Sequence, residues 1–260
     1  MEIENSEILA MLCTEGVGRK KVLEVIRGES RMEVPTYARD KAQYIMERCN
    51  FFGISIIGYN ELPRSLRLID ESPALLFVKG IKELLYSDSC EAVVGTRNPS
   101  IEGEQKAKEV TEILVEKGKV IVSGLALGID TIAHKTCIGK NGHTIAVLPS
   151  PIDRIYPGIN TALAESITYG GCLVSEYMPG VQLQKYFFIQ RDRLQAALSN
   201  SVYVIETGIK DGTMHTANYA IKYDKELYCC IYSHQNEGNA GNYELLKDKA
   251  KVFDNSLKEY

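Results

Sequence analysis

A chain of 260 residues, 45% hydrophobic and 25% charged, is long enough to bury a sizeable core and too apolar to be disordered. Its 30 Lys and Arg against 34 Asp and Glu give a formal charge of -4, which excludes a polyanion-coating protein: nucleic acid has to be held by a local concentration of positive charge. No apolar stretch approaches the roughly 18 residues of a membrane span, and the Met1-Glu2-Ile3-Glu4 start is acidic where a signal peptide is basic, so the expected location is the cytoplasm.

Residues 1–50 read as helices only. Ile8, Leu9 and Leu12, then Val22, Leu23, Val25 and Ile26, recur at helical spacing around a Gly16-Val17-Gly18 corner followed by Arg19, Lys20 and Lys21. The pattern predicts a small all-helical, helix-hairpin-like N-terminal domain, and its corner is either a packing turn or a backbone contact for a phosphate. Residues 51–88 hold two short apolar runs, 54–57 and 75–78, separated by Pro63 and Pro73, and read as a connector with short strands. From 89 to 260 the rhythm changes. Strand-like runs at 93–94, 120–122, 144–148, 172–174, 202–205 and 227–231 alternate with helical stretches near 101–117, 129–138, 160–169, 188–198 and 214–223. Such alternation predicts an α/β fold: a doubly wound, mostly parallel, Rossmann-like sheet covered on both faces. A loop over 235–242 and a short helix over 243–250 are expected to finish the chain.

Seven cysteines, with Cys229 and Cys230 adjacent and no pair two residues apart, read as buried free thiols. The four histidines have no partner at metal-ligand spacing, so neither a metal nor a cofactor is expected.

In a doubly wound sheet the loops that follow the strands converge on one crevice. Three such loops stand out: Gly95-Thr96-Arg97-Asn98-Pro99-Ser100, Ser123-Gly124-Leu125-Ala126-Leu127-Gly128-Ile129-Asp130, and Lys210-Asp211-Gly212-Thr213. Each carries glycine and opens a helix, whose first N–H groups attract anions, and Arg97 can fork onto a phosphate. Together they predict a phosphate-rich ligand. The second loop fits neither nucleotide fingerprint, and the next strand ends in Pro149-Ser150 without a ribose-binding acid, which argues against bound NAD or hydrolysed ATP. The segment from Lys185 to Arg193 interleaves cations with Tyr186, Phe187 and Phe188, as an unpaired polynucleotide requires. Alternatively, Phe187 or Phe188 fills the core and the arginines solvate a helix.

Taken with Ile155-Tyr156-Pro157, Ser175-Glu176-Tyr177 and Asn242-Tyr243-Glu244, these motifs resemble the DprA family, also called Smf, the DNA-processing proteins of bacterial transformation. The resemblance implies a non-enzymatic protein that binds single-stranded DNA in a basic crevice, shields it, forms a homodimer and loads the RecA recombinase. Carried over by motif, Arg97, Lys185, Phe188, Arg191 and Arg193 would face DNA. Thr96, Ser123 and Thr213 would also contact DNA, and Gly95, Gly124, Gly128 and Gly212 would shape the floor. No winged-helix extension is expected after residue 260. Two departures, Asp192 where the family reads Asn and Asp211 where serine is commoner, put carboxylates near the phosphate path and lower the expected affinity. The alternatives are a nucleotide sensor or a nucleoside-monophosphate glycosidase on the same fold. Gly212-Thr213 is followed by Met214, His215 and Thr216, which lacks the glutamate that such a hydrolase needs.

Overall fold

The computed structural model describes residues 3–247 and 249–253. Met1 and Glu2 of the acidic start, Asp248 in the expected last helix, and 254–260 at the end of the expected Rossmann-like domain lie outside the described residues.

Three helices open the chain: α1 (Asn5–Cys13), α2 (Arg19–Ile26) and α3 (Thr36–Phe51). The corner between the first two turns on Gly16 at φ +74°, the left-handed region that favours glycine. Strand β1 (Ile54–Gly58), the short α4 (Arg64–Arg67) and β2 (Leu75–Gly80) follow. Next come β3 (Cys90–Val94), α5 (Ile101–Glu116), β4 (Val120–Ser123), α6 (Ile129–Gly139), β5 (Thr144–Leu148), α7 (Thr161–Gly170) and β6 (Cys172–Ser175). The chain finishes with α8 (Tyr186–Leu198), β7 (Ser201–Val204), α9 (Thr213–Lys222), β8 (Glu226–Cys229), α10 (Ala240–Leu246) and β9 (Lys251–Val252).

The strands form one sheet in the order β1-β2-β6-β5-β4-β3-β7-β8-β9. From β6 to β9 every pairing is parallel, while β1 and β2 are antiparallel additions at one edge. The chain winds from β3 outward to β6 and then returns to β7 on the other side of β3. That reversal makes the carboxyl ends of β3 and β7 the topological switch point, where a doubly wound sheet opens a crevice.

Each residue of β3 to β7 is buried, as expected for parallel strands covered on both faces. Successive residues feed opposite cores. Val120, Val122, Ile145 and Val147 join Leu194, Ala197, Ala217 and Ala220 of α8 and α9 on one side. On the other side Ile121 packs with Val110 and Leu114 of α5 and Ala133 of α6, and Ala146 and Leu148 pack with Ile167 of α7.

Three boundaries differ from those read in the sequence. The stretch 51–88, read as a connector with short strands, has both strands where the apolar runs lie, and they extend the main sheet, because β2 pairs with β6 from Phe77↔Ser175 to Gly80↔Cys172. The N-terminal helices share a core with that sheet: Ile8, Leu9, Met11 and Ile45 pack in one cluster with Leu75, Phe77 and Leu173. At the other end α10 begins inside the expected loop. Buried Asn242 donates its amide to the carbonyls of Ile205 at 2.7 Å and Cys230 at 3.0 Å and accepts from the Thr207 amide at 2.8 Å, tying α10 to the ends of β7 and β8. All seven cysteines are buried with free thiols.

Candidate functional site

The switch point holds a crevice of about 430 Å³. The loop after β3 contributes Gly95, Thr96, Arg97 and Asn98, and the loop before α9 contributes Lys210, Asp211, Gly212 and Thr213. Between them α8 presents Phe188, Arg191, Asp192 and Gln195, one stripe at i, i+3, i+4 and i+7. Ile189, Ala126 and Asp130 complete this wall.

Arg97 is exposed, and its guanidinium carbon lies 5.3 Å from the centre of the Phe188 ring. Tyr156 meets the same ring edge to face at 5.4 Å and is itself 40% exposed. A smaller cavity of about 40 Å³ behind this group is lined by Arg97, Gly124, Tyr156 and Arg191. Cation and flat faces are therefore assembled in one wall. Phe187, by contrast, is buried and stacks on Tyr177 at 3.7 Å, so it fills the core, while Phe188 lines the crevice.

Arg191 reaches the crevice but is only 6% exposed. Its Nη1 donates to the carbonyls of Gly124 at 2.6 Å and Val147 at 2.7 Å, and its Nε to Asp192 at 3.0 Å, which pins α8 to the carboxyl ends of β4 and β5. Burial pushes the Asp192 carboxyl up to about 6 against the opposing pull of Arg191. Asp130 is also raised by burial, again opposed by Arg191. Gly124 is required by this packing: a Cβ there would lie 1.8 Å from Arg191 Nη1. Gly128, at φ +72°, lies under the carbonyls of Thr96 and Arg97, and Gly95 lies against Ile129. These three glycines let the two loops and α6 close on each other, which shapes the floor by protein-to-protein contact.

Helix starts behave differently from expectation at two of the three loops. At α5 the buried Glu206 carboxylate accepts from the Ser100 amide at 2.8 Å and its hydroxyl at 3.1 Å, and the Ser100 hydroxyl accepts from the Gly103 amide at 3.0 Å. At α6 the Asp130 carboxylate accepts from the Gly124 and Ala126 amides at 3.1 and 3.2 Å, and the Ile129 amide is bound to the Thr96 carbonyl at 3.2 Å. The chain's own carboxylates thus take the place expected for a phosphate. Gly212 and Thr213, at the start of α9, do face the crevice.

Two of the residues taken to face DNA are corrected by the structure. Arg193 is 0% exposed: it donates to the carbonyls of Glu71 at 2.8 Å and Gln190, and to the Glu176 carboxylate at 2.6 Å. Two residues on from Arg191, it projects from the far side of the helix. Ser123 is buried too, and its hydroxyl donates to the Val93 carbonyl at 2.7 Å, stitching β4 to β3. Lys185 is exposed at the start of α8, one turn before Phe188, and lies outside the crevice wall. Arg19 of the glycine corner is bound to Glu176 at 3.2 Å, in keeping with a packing turn. Lys210 and Tyr156 are site residues absent from the sequence-based set.

His134, although beside the Asp130 turn, is buried, hydrogen-bonded to Thr144 at 2.8 Å, and held neutral by burial, which lowers it to about 3. Among the described residues no group of three His, Cys, Asp or Glu could hold a metal, and no helix is long and apolar enough to cross a membrane.

The chain matches the family described as DNA recombination-mediator protein A over residues 53–259. It is 34% identical to the DNA processing protein DprA of Bacillus subtilis (strain 168) over 228 residues, 88% of this chain and 76% of that protein. It spans about half the length of the Smf proteins of Synechocystis and Escherichia coli that it also matches, 49% and 50%. The X-ray structure of DprA from Streptococcus pneumoniae superimposes with a TM-score of 0.85 at 28% identity, covering 97% of this chain and 95% of that one. DprA from Helicobacter pylori, whose structure is described as revealing a single-stranded DNA binding mode, superimposes with a TM-score of 0.73 at 33% identity, covering 80% and 98%. Matched by sequence over most of its length and by fold over nearly all of it, the chain belongs to the DNA recombination-mediator protein A family.

Proposed function

We propose that this protein is a non-catalytic binder of single-stranded DNA, held at the switch-point crevice. The observation that carries the reading is the wall in which exposed Arg97 lies over Phe188 with Tyr156 edge-on: positive charge for the backbone and flat faces for unpaired bases. Lys210 on the opposite wall and Lys185 beyond the rim extend the positive track. The H. pylori relative supports the ligand. Membership of a recombination-mediator family supports the further steps: a cytoplasmic homodimer that shields the strand and hands it to RecA during DNA uptake.

Titration of labelled oligo-dT and of duplex of equal length at two salt concentrations tests the reading. Arg97→Glu and Lys185→Glu each weaken oligo-dT binding, because one phosphate contact contributes about 0.7 to the log–log salt slope on a single strand. Preference for duplex, or parent-like binding by both variants, overturns it. Incubation with AMP releases no adenine if the crevice is a binding site alone. RecA filament assembly on coated strands, with and without the protein, tests the handover.

A further inference from the structure

Farther along the same sheet edge lies a groove of about 420 Å³, between the loop after β5 and the segment leading from β6 into α8. It is lined by Ser150, Arg154, Ile155, Tyr156, Gln182 and Leu183. Tyr156 also lines the small cavity behind Arg97, so its ring stands between the groove and the crevice system. Arg154 is exposed and has no ion-pair partner among the described residues. The neighbouring carboxylate, Asp153, is engaged by Arg48 at 3.1 Å. Ser150 is fully buried at the groove, and its Oγ has no hydrogen-bond partner among the described residues.

An unpaired cation, a half-exposed aromatic ring and an unused hydroxyl are what a nucleotide of a single strand needs for its phosphate and base. We infer that the groove is a second nucleotide subsite, in which Arg154 takes a phosphate and Tyr156 a base of the strand that Arg97 and Phe188 hold in the crevice. This rests on the single-stranded DNA reading above.

The strand order sets the spacing. From β7 to β6 the edge runs β7-β3-β4-β5-β6, four steps of about 4.8 Å, so the track is about 19 Å long. At about 3.4 Å per nucleotide that admits about five or six nucleotides, and fewer where the backbone is stretched. The DNA therefore lies across the strands, and a stacked trinucleotide seated between Lys210 and Arg97 covers only the β7–β3 half of the track, short of Arg154.

The test is fluorescence anisotropy with oligo-dT of about three and about twelve nucleotides over a salt series, for the parent, Arg154→Ala and Arg97→Ala, with circular dichroism confirming the fold. On the longer probe Arg154→Ala lowers the salt slope by about 0.7, so its deficit relative to the parent grows about fivefold for each tenfold drop in salt. On the short probe it matches the parent, whereas Arg97→Ala weakens both. Parent-like binding by Arg154→Ala at both lengths, with Arg97→Ala impaired, overturns the subsite and leaves the crevice standing. Equal weakening of both lengths by Arg154→Ala also overturns a separate subsite. If neither variant differs from the parent, the placement of the strand in the crevice falls as well.

Discussion

Arg193→Ala removes a guanidinium that has no solvent exposure and takes the donor from three acceptors at once: the carbonyls of Glu71 and Gln190 and the carboxylate of Glu176. Removing one partner of a buried ion pair costs about 3–5 kcal/mol, because the other charge stays behind unpaired. Here Arg19, 3.2 Å from the same carboxylate, retains part of the compensation, which puts the loss at the low end, about 3 kcal/mol. For a chain of this size about 2–4 °C of Tm is lost per kcal/mol, so Tm falls by about 6–12 °C. Scanning calorimetry of the parent, Arg193→Ala, Arg193→Lys and Arg97→Ala decides it. The lysine variant keeps the charge for Glu176 but cannot fork to the two carbonyls, so it melts between parent and alanine. Arg97→Ala, which removes an exposed side chain, stays within about 0.5 kcal/mol of the parent. An Arg193→Ala protein that melts with the parent yet loses oligo-dT affinity and salt slope would place Arg193 on the DNA and refute the buried network.

Phe188→Ala weakens oligo-dT binding by about 1–3 kcal/mol with an unchanged salt slope, since it removes a stacking face and no charge; unchanged affinity in a folded variant returns Phe188 to a packing role. Gly124→Ala brings a Cβ within 1.8 Å of Arg191 Nη1 and 2.7 Å of Asp130, displacing the guanidinium from its carbonyls. The expected loss of stability is about 1–3 kcal/mol, and an unchanged melting temperature refutes the packing argument. Asp192, with its pKa at about 6, sheds its charge on acidification, so oligo-dT affinity rises as pH falls through that value. Asp192→Asn flattens the profile, compared in a His215→Gln background because His215 lines the same crevice; identical profiles refute the assignment. Stability follows the same group. Its folded pKa lies above the ordinary 3.8, so the stability it contributes is full below that value and is lost as pH rises through about 6.

The parallel half of the sheet was legible because continuous apolar runs alternating with helical periods leave few other folds. Pairing of β2 with β6 was not, because it joins segments nearly a hundred positions apart and nothing local in 75–80 marks the partner. The two-residue β9 carries too little pattern to be read as a strand. At the site, the three loops and the Phe188–Arg191 stripe were visible, but the choice among the arginines of α8 was a matter of phase. Positions 188, 191, 192 and 195 share one helical face, and position 193 belongs with Leu194, Ala197 and the core. Applied strictly, that periodicity separates Arg191 from Arg193 without a structure. Glu206 at the start of α5 was beyond such reasoning, because it is delivered from the end of β7, more than a hundred positions away. Asp130, in the first turn of α6 and within six residues of the amides it binds, stood in the loop motif itself, but its inward turn onto that loop is a tertiary outcome.

Those two internal carboxylates bear on selectivity. A pre-formed nest of amides would compete poorly against the cell's abundant free phosphate and mononucleotides, which fill such nests readily. With Glu206 on the turn into α5 and Asp130 on the loop before α6, attraction is left to the start of α9 and to separate side chains, each too weak to retain a lone anion. Only a polymer that spans several of them at once gains their combined effect, so the same self-capping that denies the crevice a tight phosphate pocket makes it discriminate by ligand length.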